Sequence, residues 1–134
     1  MFERICIYLL YTLLGSVAAY HKLNGNIPPQ WFFEKFQNTF LNSIPYGLNL
    51  SFLIIVLLEI AIPVSFLAAL VSQEFRLDSK QRFSTLGFRL SLVLFLVLFF
   101  GSFLVQDYEN GFLDFMYFAV TIYLMRFTAN KSSQ

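Results

Sequence analysis

The sequence has one cysteine, Cys6, and one histidine, His21. A lone cysteine closes no internal disulfide and supplies no Cys-x-x-Cys pair for thiol exchange. A lone histidine excludes a bis-histidine haem site and a histidine-rich metal cage within one chain, so no metal is expected. Charge is scarce too. Asp, Glu, Lys and Arg make up 13% of residues, where an ordinary soluble domain has about a quarter. Nine basic residues against eight acidic ones leave a net charge of +1, which offers no electrostatic footprint for nucleic acid. There is no glycine-rich phosphate loop, nucleophile elbow or metal-ligand spacing. Ser16 and His21 are close in sequence but lie at different depths on one helix, so they form no catalytic couple.

What the chain has instead is apolar surface. Hydrophobic residues make up 57% of its 134 residues, and the mean hydropathy is +0.65. A soluble domain this small has too much surface for its volume to hide so many of them. Lipid as the solvent removes that difficulty. Four apolar runs stand out, at about 5–22, 46–72, 87–106 and 112–127. A helix needs roughly 20 residues to cross the hydrocarbon core. The middle runs reach easily, whereas the first and last need their polar flanks or a thin bilayer. The fold class expected is an all-α membrane protein, a four-transmembrane-helix bundle forming one domain over residues 1–134. A polar tail at 128–134 is expected to be disordered. Met1 to Ala19 also has the outline of a signal peptide, with Val17-Ala18-Ala19 at a cleavage position. Glu3 offsets Arg4 in its first residues, however, so an uncleaved first span is the expectation.

Basic residues set the orientation. With the N-terminus inside, the inner segments hold Arg4, Arg76, Lys80, Arg82, Arg89, Arg126 and Lys131, and the outer ones hold Lys22 and Lys35. Both termini are therefore expected in the cytoplasm, which an even number of spans requires. On this reading Arg89 and Arg126 are topology anchors, and the inner loop from Gln73 to Thr85 is solvated. Between the first two spans, Asn24-Gly25-Asn26 breaks the chain and Pro28-Pro29 opens a new helix. From Trp31, the residues Phe33, Phe36, Phe40 and Ile44 recur at helical spacing, with Phe32 and Leu41 beside them. Glu34, Gln37, Asn38 and Asn42 oppose them. This predicts an interfacial amphipathic helix at about 29–44, closed by Pro45.

Glu59 is the most informative residue, because it falls near the middle of the second run. An ionised carboxylate in hydrocarbon costs roughly 2.5–3.5 kcal/mol even on the lenient insertion scale. It must face the bundle, find a partner or stay protonated. Pro63, four residues on, has no N–H and leaves the Glu59 carbonyl without its helical donor. Glu59 and Pro63 thus form a candidate intramembrane polar site, suited to protons, cations or a quinone head group. The bland alternative is a glutamate that bonds a neighbouring helix. A second cluster gathers at the outer helix ends: His21, Lys22, Glu34, Lys35, Gln106, Asp107 and Asp114. It suits either a head-group pocket or an ion pair that locks the helices, against a background of snorkelling side chains. Gly15 and Ala19 form a small-xxx-small pair for close helix contact. Asn49 and Ser51 are candidates for bonds across helices.

Gly15, Lys22-Leu23, Pro29, Trp31, Lys35-Phe36, Glu59 preceded by Leu57-Leu58, and Asp114 together resemble the DoxX-like family of small four-span membrane proteins. Where that family usually has a second glycine, Ala18, Ala19, Tyr20 and His21 stand here. The resemblance implies a bacterial cytoplasmic-membrane protein tied to quinone-linked oxidation or to accessory roles beside oxidoreductases. Three functions follow in order: an accessory or scaffold subunit with a membrane-protein partner or a second copy, a quinone-reactive oxidoreductase subunit using Glu59, and a transporter of protons or small solutes. Four helices are few for a carrier.

Overall fold

A computed structural model describes residues 1–24 and 29–132, with side chains as far as residue 129. The Gly25, Asn26 and Pro28 turn signals and residues 133 and 134 lie outside the described residues. Five α-helices form among the described residues: α1 (Phe2–Leu23), α2 (Gln30–Phe36), α3 (Gly47–Val71), α4 (Phe83–Leu104) and α5 (Tyr108–Ser132). Among the described residues there is no strand. Four of the helices (α1, α3, α4 and α5) are long and apolar enough to cross a membrane.

α1, α4 and α5 start earlier than their apolar runs, because polar residues there continue the helix, whereas α3 lies within its run. Glu3 and Arg4 belong to α1, and Asn110 and Gly111 to α5. α5 runs on to Ser132, through most of the stretch expected to be a disordered tail. The amphipathic segment expected as one helix over 29–44 is two pieces, α2 and a 3-10 turn at Phe40–Ser43. Thr39 explains the break. Its hydroxyl donates to the Phe36 carbonyl at 2.6 Å and its N–H donates to the same oxygen at 3.1 Å, a local bond pattern that competes with helix continuation. Asn42 Nδ2 then donates to the Gln37 carbonyl and holds the turn. Phe32 and Phe36 are buried, with the Phe32 ring 5.1 Å from that of Phe52 on α3, while Trp31, Phe33, Phe40 and Ile44 stay exposed.

α1 packs on α3, α3 on α4, and α4 on α5. α3 is the centre of the arrangement: 44% of its most apolar stretch is buried, against 11% for α5. A cluster of Tyr8, Tyr11, Phe66 and Phe88 ties α1, α3 and α4 together, with ring centroids 5.1–5.6 Å apart. The α1–α3 contact is closest at Gly15. A Cβ there would lie 2.6 Å from Pro63 Cδ and 2.8 Å from the Glu59 carbonyl oxygen. Only glycine lets the two backbones meet at the carbonyl that Pro63 leaves without a donor.

The two tight connections follow one design. Gln73 and Gln106 both take a left-handed conformation, with φ of 56° and 59°. Gln73 N–H donates to Leu70 and Glu74 N–H to Ala69; Gln106 N–H donates to Phe103 and Asp107 N–H to Ser102. This paired closure satisfies the last carbonyls of α3 and α4. In both cases the next residue is an acid that caps the following helix. Glu74 accepts the N–H groups of Arg82, Phe83 and Ser84 and the Ser84 hydroxyl at 2.8–3.0 Å. Asp107 accepts the Asn110 N–H at 3.3 Å. A carboxylate suits a helix start, where N–H groups lack partners and the helix dipole is positive. The loop expected to be solvated therefore carries a buried, fully engaged acid: Glu74 is 3% exposed.

Candidate functional site

One face of α1 forms a stripe that carries four of its polar residues, Arg4, Tyr8, Tyr11 and Lys22. Arg4, Tyr8, Tyr11, Gly15, Ala18 and Lys22 succeed each other at steps of three or four, and all are buried or half-buried. Helical periodicity thus turns every one of them toward α3, α4 and α5. At the far end of the stripe, Lys22 Nζ donates to Glu59 Oε1 at 2.7 Å. Lys22 lies seven residues beyond Gly15, about 10 Å along the helix axis. Its Cα–Cβ bond tilts back toward the helix N-terminus, and the long side chain completes the return to Glu59.

Glu59 is 2% exposed, and its second oxygen, Oε2, has no hydrogen-bond partner among the described residues. Beside it lies a cavity of about 220 Å3 bounded by all four long helices. Tyr11, Gly15, Ser91, Phe95, Asp114 and Tyr117 are among its lining residues, together with Lys22 and Glu59. Ser91 is turned back on its own helix and donates to the Gly87 carbonyl at 2.8 Å. Asp114 accepts from the Ser102 hydroxyl at 3.3 Å. Tyr11 and Thr121 share a 2.7 Å hydroxyl–hydroxyl bond between α1 and α5. The site therefore offers one cationic donor, one carboxylate oxygen with no donor to meet, a second acid, and aromatic walls.

The two clusters expected from the sequence are partly one. Lys22 and Asp114 join Glu59 around the cavity, while Pro63 packs against Gly15 beside it. Lys35 and Asp107 form a separate, exposed pair at 3.4 Å, joining α2 to the start of α5. Hydrogen bonds from the Asn110 side chain and backbone, with the nearby Lys35 ammonium, hold the Asp107 carboxyl below its ordinary value of 3.8. His21 is exposed beside Tyr20, Glu34 bonds Gln30 at 2.9 Å on the α2 surface, and Gln106 serves the turn described above. These three take no part in the site. Ser51, a candidate for a bond across helices, donates to Gly47 on its own helix.

The opposite end of the molecule holds a polar knot not expected from the sequence. Arg4, fully buried, donates to the Thr128 carbonyl at 2.7 Å and the Arg76 carbonyl at 3.2 Å. Its Nε has no partner among the described residues, and the Tyr8 hydroxyl lies beside Ser84. The stripe spacing on α1 was the signal: Arg4 is in phase with Tyr8 and Tyr11. The hollow nearby, about 430 Å3 and lined by Ser72, Gln73, Arg76, Asp78 and Ser79, is an open dish whose walls are exposed or half-buried. It gathers no buried polar group. Among the described residues no cluster of His, Cys, Asp and Glu is arranged to hold a metal.

No protein-family model matches the chain, and no curated protein or solved structure matches it either.

Proposed function

We propose that this chain is an integral protein of the bacterial cytoplasmic membrane, DoxX-like in architecture, that serves as the ligand-holding accessory subunit of an oxidoreductase-linked complex, with a quinone as the ligand. On this reading α1, α3, α4 and α5 cross the bilayer as a bundle. The two termini share the cytoplasmic side, where seven of the nine basic residues fall. α2 rests at the outer interface, with exposed Trp31 and Phe33 at head-group depth.

The observation that carries the reading is Glu59: a buried carboxylate beside a cavity, with one oxygen paired to Lys22 and the other without a partner among the described residues. A purely structural ion pair would be served best by satisfying both oxygens, since an unmet buried acceptor costs about 1–3 kcal/mol. A ligand that brings a donor removes that cost. The residues fit a quinone. The cavity exceeds the ~150 Å3 that admits a benzene ring, and Tyr11, Phe95 and Tyr117 supply flat walls. When bound, a quinone supplies a reversible two-electron, two-proton couple. The Glu59 carboxylate would accept a hydrogen bond from a hydroxyl of the reduced form. The N–H groups of Lys22 that Glu59 does not use can donate to a carbonyl of the oxidised form. Leu14, Ile62, Leu94 and Leu98 keep the site dry, which strengthens both interactions.

The test is ligand-dependent thermal stability of the purified protein in mild detergent. Decylubiquinone at a hundredfold excess over its dissociation constant should stabilise the fold by about 2.7 kcal/mol. Glu59→Gln should remove that shift, while Asp107→Asn, in the exposed pair, should retain it. An unmutated protein whose stability ignores quinones refutes the proposal. The accessory role draws on α5, which is largely uncovered and, among the described residues, packs chiefly on α4. Purification from native membranes should retrieve a defined oxidoreductase partner, and a clean monomer at native expression argues against that role.

A further inference from the structure

We infer that the groove between α1 and α5 holds the lipophilic tail of the ligand whose head group lies at Lys22 and Glu59. The ligand is then a tailed amphiphile with a neutral polar head, admitted sideways from the bilayer. This inference rests on the ligand-holding reading above and extends it to the class of ligand.

α1 and α5 lie at the two ends of the packing order, and no packed seam of the kind found at α1–α3, α3–α4 and α4–α5 closes them together. Polar bonds bridge them instead: Tyr11 to Thr121 midway and Arg4 to Thr128 at the end. Beside the first bond lies a second cavity of about 310 Å3, lined by Leu10, Leu14, Phe95, Val120 and Leu124 together with Tyr11, Tyr117 and Thr121. The hydroxyls of Tyr11 and Thr121 are already bonded to each other, and the remaining lining is mostly hydrocarbon. Leu10, Leu14 and Val120 are about half exposed, which leaves its mouth open to the surroundings of the helices.

The groove continues the head-group cavity. Tyr11, Leu14, Phe95 and Tyr117 line both. From Asp114, at the cavity, to Leu124, at the groove's far end, α5 advances ten residues, about 15 Å. A molecule with its polar end at Glu59 would therefore lay its tail along α5 toward the Arg4 end. Charge decides which amphiphile. The head-group cavity sets one ammonium, Lys22, against two acids, Glu59 and Asp114, and one Glu59 oxygen has no partner among the described residues. A phosphodiester head would meet that oxygen with like charge, whereas a hydroxyl or carbonyl head meets both groups with complementary polarity. An annular phospholipid is thus the wrong occupant, and a tailed neutral ring is the right one.

The experiment compares two probes with one head: 2,3-dimethoxy-5-methylbenzoquinone without a tail, and its decyl form. Binding to the full chain is measured in phosphatidylcholine nanodiscs, corrected for partition into empty discs. The decyl form should bind at least tenfold tighter to the unmutated protein. Val120→Trp and Leu10→Trp fill the groove from opposite walls and should collapse that ratio toward one. Because either variant can misfold, a decyl probe with a terminal diazirine is also photolysed on the unmutated chain and should label peptides containing Leu10 or Leu124. Equal binding of the two probes, or labelling elsewhere, overturns the groove while leaving the head-group site standing. Binding of neither probe refutes the reading on which the groove rests. A spin-labelled phosphatidylcholine that stays immobilised against excess decyl probe shows a lipid occupant instead and overturns the inference.

Discussion

Alanine at residue 15 should destabilise this protein, whereas alanine at residue 101 should not, although both replace a glycine inside a long apolar helix. The difference lies in what the added methyl group meets. At Gly15 it would be 2.6 Å from Pro63 Cδ, 2.8 Å from the Glu59 carbonyl oxygen and 2.9 Å from Pro63 Cγ. A proline ring and a backbone carbonyl cannot turn aside, so α1 must retreat by ~1 Å to restore ordinary contact near 3.5 Å. Overpacking of this kind costs about 1–3 kcal/mol, against about 1 kcal/mol regained from helix propensity. The retreat also lengthens the 2.7 Å bond from Lys22 to Glu59, which lies on the same seam. At Gly101 the methyl group would sit 3.4 and 3.5 Å from the Phe36 ring, near ordinary contact, so the propensity gain of about 1 kcal/mol should dominate. Gly87 should resemble Gly15, since the Phe66 ring lies 2.8 Å away and is fully buried. Gly111 should be milder, because Phe103, at 2.8 Å, is 45% exposed and free to swing. Reversible unfolding in mixed micelles, followed by circular dichroism, would rank the four variants. The reasoning fails if alanine at 15 and at 101 shifts stability in the same direction by the same amount.

Removing one partner of the buried ion pair should be worse than removing both. Lys22→Met should cost about 3–5 kcal/mol, and adding Glu59→Leu should recover most of it, as a double-mutant cycle in the same micelles would measure. Glu74→Ala strips the start of α4 of its acceptor and should cost about 1–3 kcal/mol, with faster amide exchange at Arg82, Phe83 and Ser84. The Asp107 carboxyl is held below 3.8 by Asn110 and Lys35. Its contribution is therefore complete above that value and is lost as pH falls through the depressed one. Amide protection of Asn110 should decline on acidification below about pH 4, and Asp107→Asn should abolish that dependence.

The four long helices were readable because apolar runs of this length have few other uses in a small chain. Their ends were not, since Glu3, Arg4 and the polar start of α5 look like loop by composition yet continue the helix. The break in the 29–44 segment was hidden because the aromatic period runs through it, while the residue that stops the helix, Thr39, acts through one hydroxyl. Glu59 announced itself by its cost in hydrocarbon. Its partner did not, because hydropathy places Lys22 at the end of a helix and Glu59 in the middle of one. Their meeting depends on the Gly15–Pro63 approach and on the backward tilt of a long side chain. Arg4 was read as an orientation marker for the same reason: counting charges along the chain says nothing about which face of a helix they occupy. The stripe from Arg4 to Lys22 held that information.

Arg4 carries a consequence for how the molecule is made. Its guanidinium is emitted from the ribosome in the first turn of α1, yet the carbonyls that receive it belong to residues 72 and 124 positions later. Through most of synthesis the cation must rely on water or lipid phosphates at the rim of the translocon. Only when α5 arrives is that temporary shell exchanged for the Thr128 carbonyl, so α5 fastens the start of α1.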